Sequence, residues 1–104
     1  MDEAKLLYSI FEKDSDGFAI EKKIEIDIYV LKEKSIVRTE FYDAMRSGVS
    51  PKIVLEIRQE DFTLSLHEKD GQKYYADRIL YGGQIYHIIR TYKPDKAKIE
   101  LTCG

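Results

Sequence analysis

The chain has 104 residues, a length that suits one domain spanning 1–104 with one modest hydrophobic core. With 43% hydrophobic and 35% charged residues it reads as globular rather than disordered. Its formal net charge of -2 lacks the basic excess of a dedicated nucleic-acid binder.

Residues 5–12 hold Leu6, Leu7, Tyr8, Ile10 and Phe11, an apolar run that fits a strand or a short helix. Lys13-Asp14-Ser15-Asp16-Gly17 then reads as a turn, because Asp and Gly tolerate left-handed backbone angles. From Ile20 the pattern alternates. Ile24, Ile26, Ile28 and Val30 take one face, and Lys23, Glu25, Asp27 and Tyr29 the other, which predicts a strand over about 20–32. A short helix is expected next, with Thr39 as N-cap, Glu40 in its first turn, and Gly48 at its end, just before Pro51.

Ile53, Leu55 and Ile57 alternate with Val54, Glu56 and Arg58, predicting a strand over 53–58. Phe62, Leu64 and Leu66 suggest a shorter strand, followed by a loop at Glu68-Lys69-Asp70-Gly71. Gly82-Gly83 between the runs 78–81 and 85–92 is a hairpin signal. A turn at Pro94-Asp95 leads into a last strand over 98–102. The expected fold is mainly β: a small antiparallel barrel or sandwich of five or six strands with one short helix. Ile24, Ile26, Ile28, Leu55, Ile57, Ile88 and Leu101 are its expected core.

The residues that could carry chemistry are few. His67 and His87 have no Cys or second His at ligand spacing, and His87 is expected as a packed or half-exposed strand residue. Glu60-Asp61 is read as a solvated turn, since adjacent strand residues cannot cooperate as acid and base. Gly82-Gly83 lacks the Lys and following helix of a phosphate loop. Cys103 is the single cysteine, which points to a reducing cytoplasm, and its near-terminal place argues against a buried nucleophile. The opening MDEAKLLYSIF lacks the pattern of a signal peptide, and no window approaches the roughly 18 apolar residues of a membrane span. No enzymatic activity, cofactor, metal or membrane association is therefore expected.

Two features point toward interactions instead. The chain carries eight tyrosines and four phenylalanines. Tyr81, Tyr86 and Tyr92 fall near Arg78, Arg90 and Lys93, an arrangement also found in single-strand nucleic-acid binders of the OB type. Charge is uneven as well: 1–16 carry two lysines against five acids, and 72–98 carry six basic residues against two acids. Opposed edges of this kind favour head-to-tail association.

The run KSIVRTEFYDAMRSG at 34–48, followed by SPKIVLEIR at 50–58, resembles the middle of tailed-bacteriophage head–tail connector proteins. These are the adaptor, joining and head-closure (stopper) proteins of the virion neck. Ser35, Arg38, Glu40, Phe41, Tyr42, Ala44, Gly48, Ile57 and Arg58 match that family's pattern. ILYGGQIYHIIRTY at 79–92 resembles its hairpin, and IELTC at 99–103 its closing strand. Many members carry a tryptophan before the long strand, and this chain has none.

The resemblance covers about 17–103. It implies a small β-barrel with a short helix, assembling as a ring between portal and tail in the neck of a phage or prophage virion. Some members close the DNA channel. The implied partners are the portal-side adaptor, the tail-side completion protein, and further copies of the chain. Non-specific contact with packaged double-stranded DNA and assembly in the bacterial host cytoplasm are also implied. A monomer is expected in isolation, because a surface that closes only on a template is individually weak. The connections 32–50 and 59–77 are long enough to carry function. On the predicted helix, Phe41 and Met45 would seat on the barrel while Tyr42 and Arg46 face a neighbour. Arg38 and Tyr92 complete the expected interface set.

Overall fold

The structure, a computed structural model, describes residues 2–35 and 50–104. Among them lie eight strands and one short helix: β1 (Asp2–Lys13), β2 (Ala19–Lys34), β3 (Ile53–Arg58), α1 (Gln59–Thr63), β4 (His67–Lys69), β5 (Gln72–Tyr74), β6 (Arg78–Tyr81), β7 (Gln84–Tyr92) and β8 (Lys98–Cys103). Six strands form a closed barrel in the order β1-β2-β3-β8-β7-β6, with every neighbouring pair antiparallel. Two meanders, β1-β2-β3 and β6-β7-β8, are joined along β3–β8 and β1–β6. The expected mainly-β barrel is thus present.

Turn chemistry sets the strand limits. At the β1–β2 turn, the Asp14 carboxylate accepts hydrogen bonds from the Asp16 and Phe18 amides at 2.9 and 2.8 Å. Gly17 supplies the left-handed angle there, with φ +85. Gly82 and Gly83 both have positive φ, as a two-residue hairpin turn of the right twist requires. Asp95 closes the β7–β8 turn by accepting from the amides of Ala97 and Lys98.

Alternation fills the barrel. Ala4 and Leu6, Ile28 and Val30, Leu55 and Ile57, Ile79, and Ile99, Leu101 and Cys103 point inward and are buried. Phe62 of α1 and Ala76 join this core. An interior of this size is a packed core with no channel. Four of the seven expected core residues (Ile28, Leu55, Ile57 and Leu101) are buried, while Ile24, Ile26 and Ile88 are half-buried. Ile24 and Ile26 lie where β2 has no β3 beside it, and Ile88 adjoins the register shift between Ile88 and Arg90.

Of the two alternatives for the apolar run in 5–12, strand or short helix, the structure has the strand, paired along its length with β2. Three further expectations need correction. Phe62, Leu64 and Leu66 are not a strand. Gln59–Thr63 is helical, Phe62 is buried, and Leu64 and Leu66 are exposed. Glu60 and Asp61 accordingly occupy the first turn of a helix, where carboxylates suit the dipole. The 59–77 connection is also not a bare loop. It holds α1 and the β4–β5 hairpin, whose tip Asp70-Gly71 has φ +53 and +79. Buried Ser65 ties this segment down: its hydroxyl donates to the Phe62 carbonyl at 2.7 Å and accepts from the Ala76 amide at 2.9 Å.

Candidate protein-interaction site

The β1–β2 hairpin outgrows the barrel. β6 pairs with β1 only from Ala4 to Leu7, and β3 pairs with β2 only from Val30 to Lys34. Residues 8–13 and 19–24 therefore form a two-stranded arm, within a Cα envelope of 50 × 31 × 28 Å. Its end displays Phe11 at 59% exposure, Phe18 at 70% and Ile20 at 50%. Phe11 and Ile20 lie on opposite faces of the hairpin, with Phe18 in its turn, so the arm's end presents apolar side chains to more than one side.

The arm's β1 side is buttressed. The His67 ring stacks on Tyr8 with centroids 4.0 Å apart and planes 3° from parallel. His67 Nδ1 lies 2.8 Å from the Ser65 carbonyl, which can only accept, so this nitrogen carries the ring proton. The Lys69 ammonium sits 5.4 Å from the centre of the Phe11 ring, and Arg78 donates to the Ser9 hydroxyl at 3.1 Å. Together these contacts place β4–β5 against one edge of the arm.

The charged side chains pair locally. Lys5 bridges Glu25 and Asp27 at 3.3 and 3.8 Å. On the barrel's outer wall, Lys34 reaches Glu56 at 2.9 Å and Glu100 at 3.3 Å, and Lys98 lies 3.7 Å from Glu56. The hydrogen bond from Lys34 is the main reason the Glu56 carboxyl titrates below its ordinary range, and the same bond raises Lys34. At the far end, Arg58 pairs in register with Lys98, beside the turn carrying Lys93 and Lys96.

Of the interface residues expected from the sequence, Tyr92 is described and is 66% exposed, at the end of β7. Arg38, Tyr42 and Arg46 lie outside the described residues, as does the helix expected between Thr39 and Gly48. His87 is exposed, with its backbone paired to Gly104 at 2.8 and 3.0 Å. Cys103, expected not to be a buried nucleophile, is fully buried, and that burial pushes its thiol up to about 12, so it stays protonated near neutrality. Among the described residues no group of three or more His, Cys, Asp or Glu side chains could hold a metal ion. No helix among them is long and apolar enough to cross a membrane.

Two of the three tyrosines near basic residues, Tyr81 and Tyr86, have polar partners of their own. The single Tyr81 hydroxyl proton is shared between Glu33 at 3.0 Å and Asp2 at 3.1 Å. Burial, then these two carboxylates, push Tyr81 up to about 12. Tyr86 donates to the Gln84 side chain at 2.9 Å. The closed barrel also has six strands, where the OB barrel has five and is partly open. The arm itself was not visible as a site in the sequence. The excess length of β1 and β2 over β3 and β6 defines it, and that mismatch appears only once the pairing is known.

No protein-family model matches the chain, and no curated protein matches it. The connector resemblance therefore rests on the motifs alone.

Proposed function

We propose that the chain is a structural component of a tailed-phage or prophage neck, acting through protein contacts between portal and tail. The observation that carries this is the projecting arm. A small closed barrel commits its strands to its own core, yet this one extends a hairpin that leaves Phe11, Phe18 and Ile20 largely in solvent, with the Lys69 ammonium near the Phe11 ring. Exposed apolar groups on a rigid projection suit insertion between neighbouring subunits. The barrel agrees with the fold that the connector motifs imply. Ile57 and Arg58 end β3, the 79–92 motif forms the β6–β7 hairpin, and 99–103 falls in β8.

A deletion in the encoding phage or prophage tests this. Negative-stain microscopy of lysates should show DNA-filled or emptied heads and separate tails, with joined virions restored by a plasmid copy. Normal joined particles without the gene would overturn the proposal. The alternative, an OB-like single-stranded nucleic-acid-binding module, keeps one supporting observation: exposed Tyr92 lies beside the turn carrying Lys93 and Lys96. Single-stranded DNA binding with a steep salt dependence would favour it.

A further inference from the structure

We infer that the outer edge of β2, residues 19–29, is a strand-addition site for an extended segment of a partner protein in which apolar and basic residues alternate. The inference rests on the neck proposal only for who donates the strand.

Among the described strands, β2 leaves the longest run of one edge without a strand partner; on β1 the corresponding run is residues 8–13. β2 pairs with β1 from Ala19 to Val30, but β3 joins it only at Val30. Along 19–29, the backbone N–H and C=O groups of alternate residues therefore point away from β1. No hydrogen bond to them is made by any described residue. The edge is about 36 Å long, at roughly 3.3 Å per residue. The other edge of the arm is flanked by β4–β5 through the Tyr8–His67 stack and the Lys69–Phe11 contact. One side of the arm is thus buttressed and the other open. Strand addition takes its affinity from main-chain hydrogen bonds and its specificity from alternate side chains.

Those side chains define the partner. On the core-side face, Ile24 and Ile26 are half-buried and Ile20 and Lys22 are exposed, so apolar neighbours stand at 20, 24 and 26 with Lys22 between the first two. On the opposite face, Glu21, Glu25 and Asp27 outnumber Lys23, and among the described residues the one cation bonded to them is Lys5, which reaches Glu25 and Asp27. A strand with lysine or arginine opposite Glu25 and Asp27 complements this row.

A second copy of β2 does not fit. Two-fold pairing of this edge with itself must set like charges opposite each other for any axis from residue 21 to 27. An axis at Ile24 matches Lys23 with Glu25 but sets Glu21 against Asp27. Axes at 22 and 23 oppose Lys22 or Lys23 to itself, axes at 21, 25 and 27 do the same for Glu21, Glu25 or Asp27, and one at 26 opposes Glu25 to Asp27. Like charges directly opposite are destabilising, and natural edges use them to block self-association.

The test uses the full chain and two fluorescein-labelled peptides of about nine residues. One alternates lysine with isoleucine and valine, and the other replaces each lysine with glutamate. Anisotropy should show the lysine peptide binding about tenfold or more tighter than the glutamate peptide. Amide hydrogen exchange should show protection gained at alternate residues of 19–29. The double variant Glu25→Lys, Asp27→Lys alters only exposed side chains. Because it removes the two exposed Lys5 ion pairs and sets Lys5 opposite a lysine, it should lower the thermal midpoint slightly while reversing the preference.

Equal affinities, protection gained elsewhere, no binding, or an unreversed preference would overturn the inference. So would protection of 19–29 that rises with protein concentration in the absence of peptide, which would assign the edge to a second copy. None of these outcomes bears on whether heads and tails join, so failure here and failure of the neck proposal remain distinguishable.

Discussion

Truncating one core leucine and one isoleucine on the open edge of β2 separates the closed barrel from that edge energetically. Leu55 has no exposed surface and sits in β3, which is hydrogen-bonded to β2 on one side and to β8 on the other. Leu55→Ala removes three carbons, worth about 2.4 kcal/mol of transfer free energy at ~0.8 kcal/mol each. Strands held on both sides cannot collapse into the gap. A residual void of about 60 Å³ at ~24 cal/mol per Å³ adds about 1.4 kcal/mol. The expected loss is therefore about 4 kcal/mol. Ile26 faces the same side of the sheet but is half-buried, where no β3 stands beside β2. Water can occupy the space its side chain leaves, so Ile26→Ala should cost only about 1–2 kcal/mol. Urea unfolding followed by circular dichroism measures both, and an unchanged m-value confirms that only stability has moved. For a domain of this size the leucine variant should melt roughly 15–30 °C lower. Equal losses for the two variants would refute the idea that the edge of β2 before Val30 stands outside the core.

Five other outcomes follow from named groups. Glu56 titrates below its ordinary 4.5, so it contributes stability above that pH and loses it as the pH falls through the lower folded value. The thermal midpoint of wild type should therefore drop more steeply below about pH 4.5 than that of Glu56→Gln, and parallel profiles would contradict this. Lys34 has the opposite sign: its contribution holds below its ordinary 10.5 and fades as the pH rises through the higher folded value, a loss that Lys34→Met should abolish. Cys103 should resist a thiol reagent at pH 8 in the native protein and react fully in denaturant, and rapid native labelling would show that β8 is not seated. Tyr92→Ala should leave stability within about 0.5 kcal/mol of wild type, because the ring is largely in solvent. Replacing Tyr42 and Arg46 together by Ala should likewise leave the melting temperature nearly unchanged while reducing incorporation into heads. Unfolding, or normal assembly, would remove that pair from the interface.

Period-two alternation located β3 and β6 to the residue and β2, β7 and β8 within a few residues, because each presents one face to a core and the other to solvent. β1 was ambiguous for a physical reason. Leu6 and Leu7 are adjacent yet both buried, so the run obeys neither a strand nor a helix period. The run at 62–66 misled because three alternating apolar residues are too few to set a period, and only Phe62 reaches the core. β4 and β5 are polar three-residue strands with no pattern to read. Their Asp-Gly tip was the available signal, and it looked like a loop. The candidate site was less legible than the fold. Tyr92 is exposed as an interface residue must be, but the arm and its open edge arise from unequal strand lengths, which no local pattern encodes.

The position of β8 has a consequence for how the chain reaches its native state. β8 is the last strand in sequence, yet it lies between β3 and β7 and pairs with both. β1 meanwhile waits for β6, with Leu7 opposite Arg78. Contacts of such large sequence separation place folding in the slow range of small domains, about milliseconds to seconds. During synthesis, a chain that ends before Lys98 has two unpaired strands facing a gap, a form prone to wrong pairing. Cys103 lies in that final strand, opposite Ile53 on one side and Ile88 on the other. The rate at which its thiol disappears from solvent during refolding is therefore the rate at which the barrel shuts.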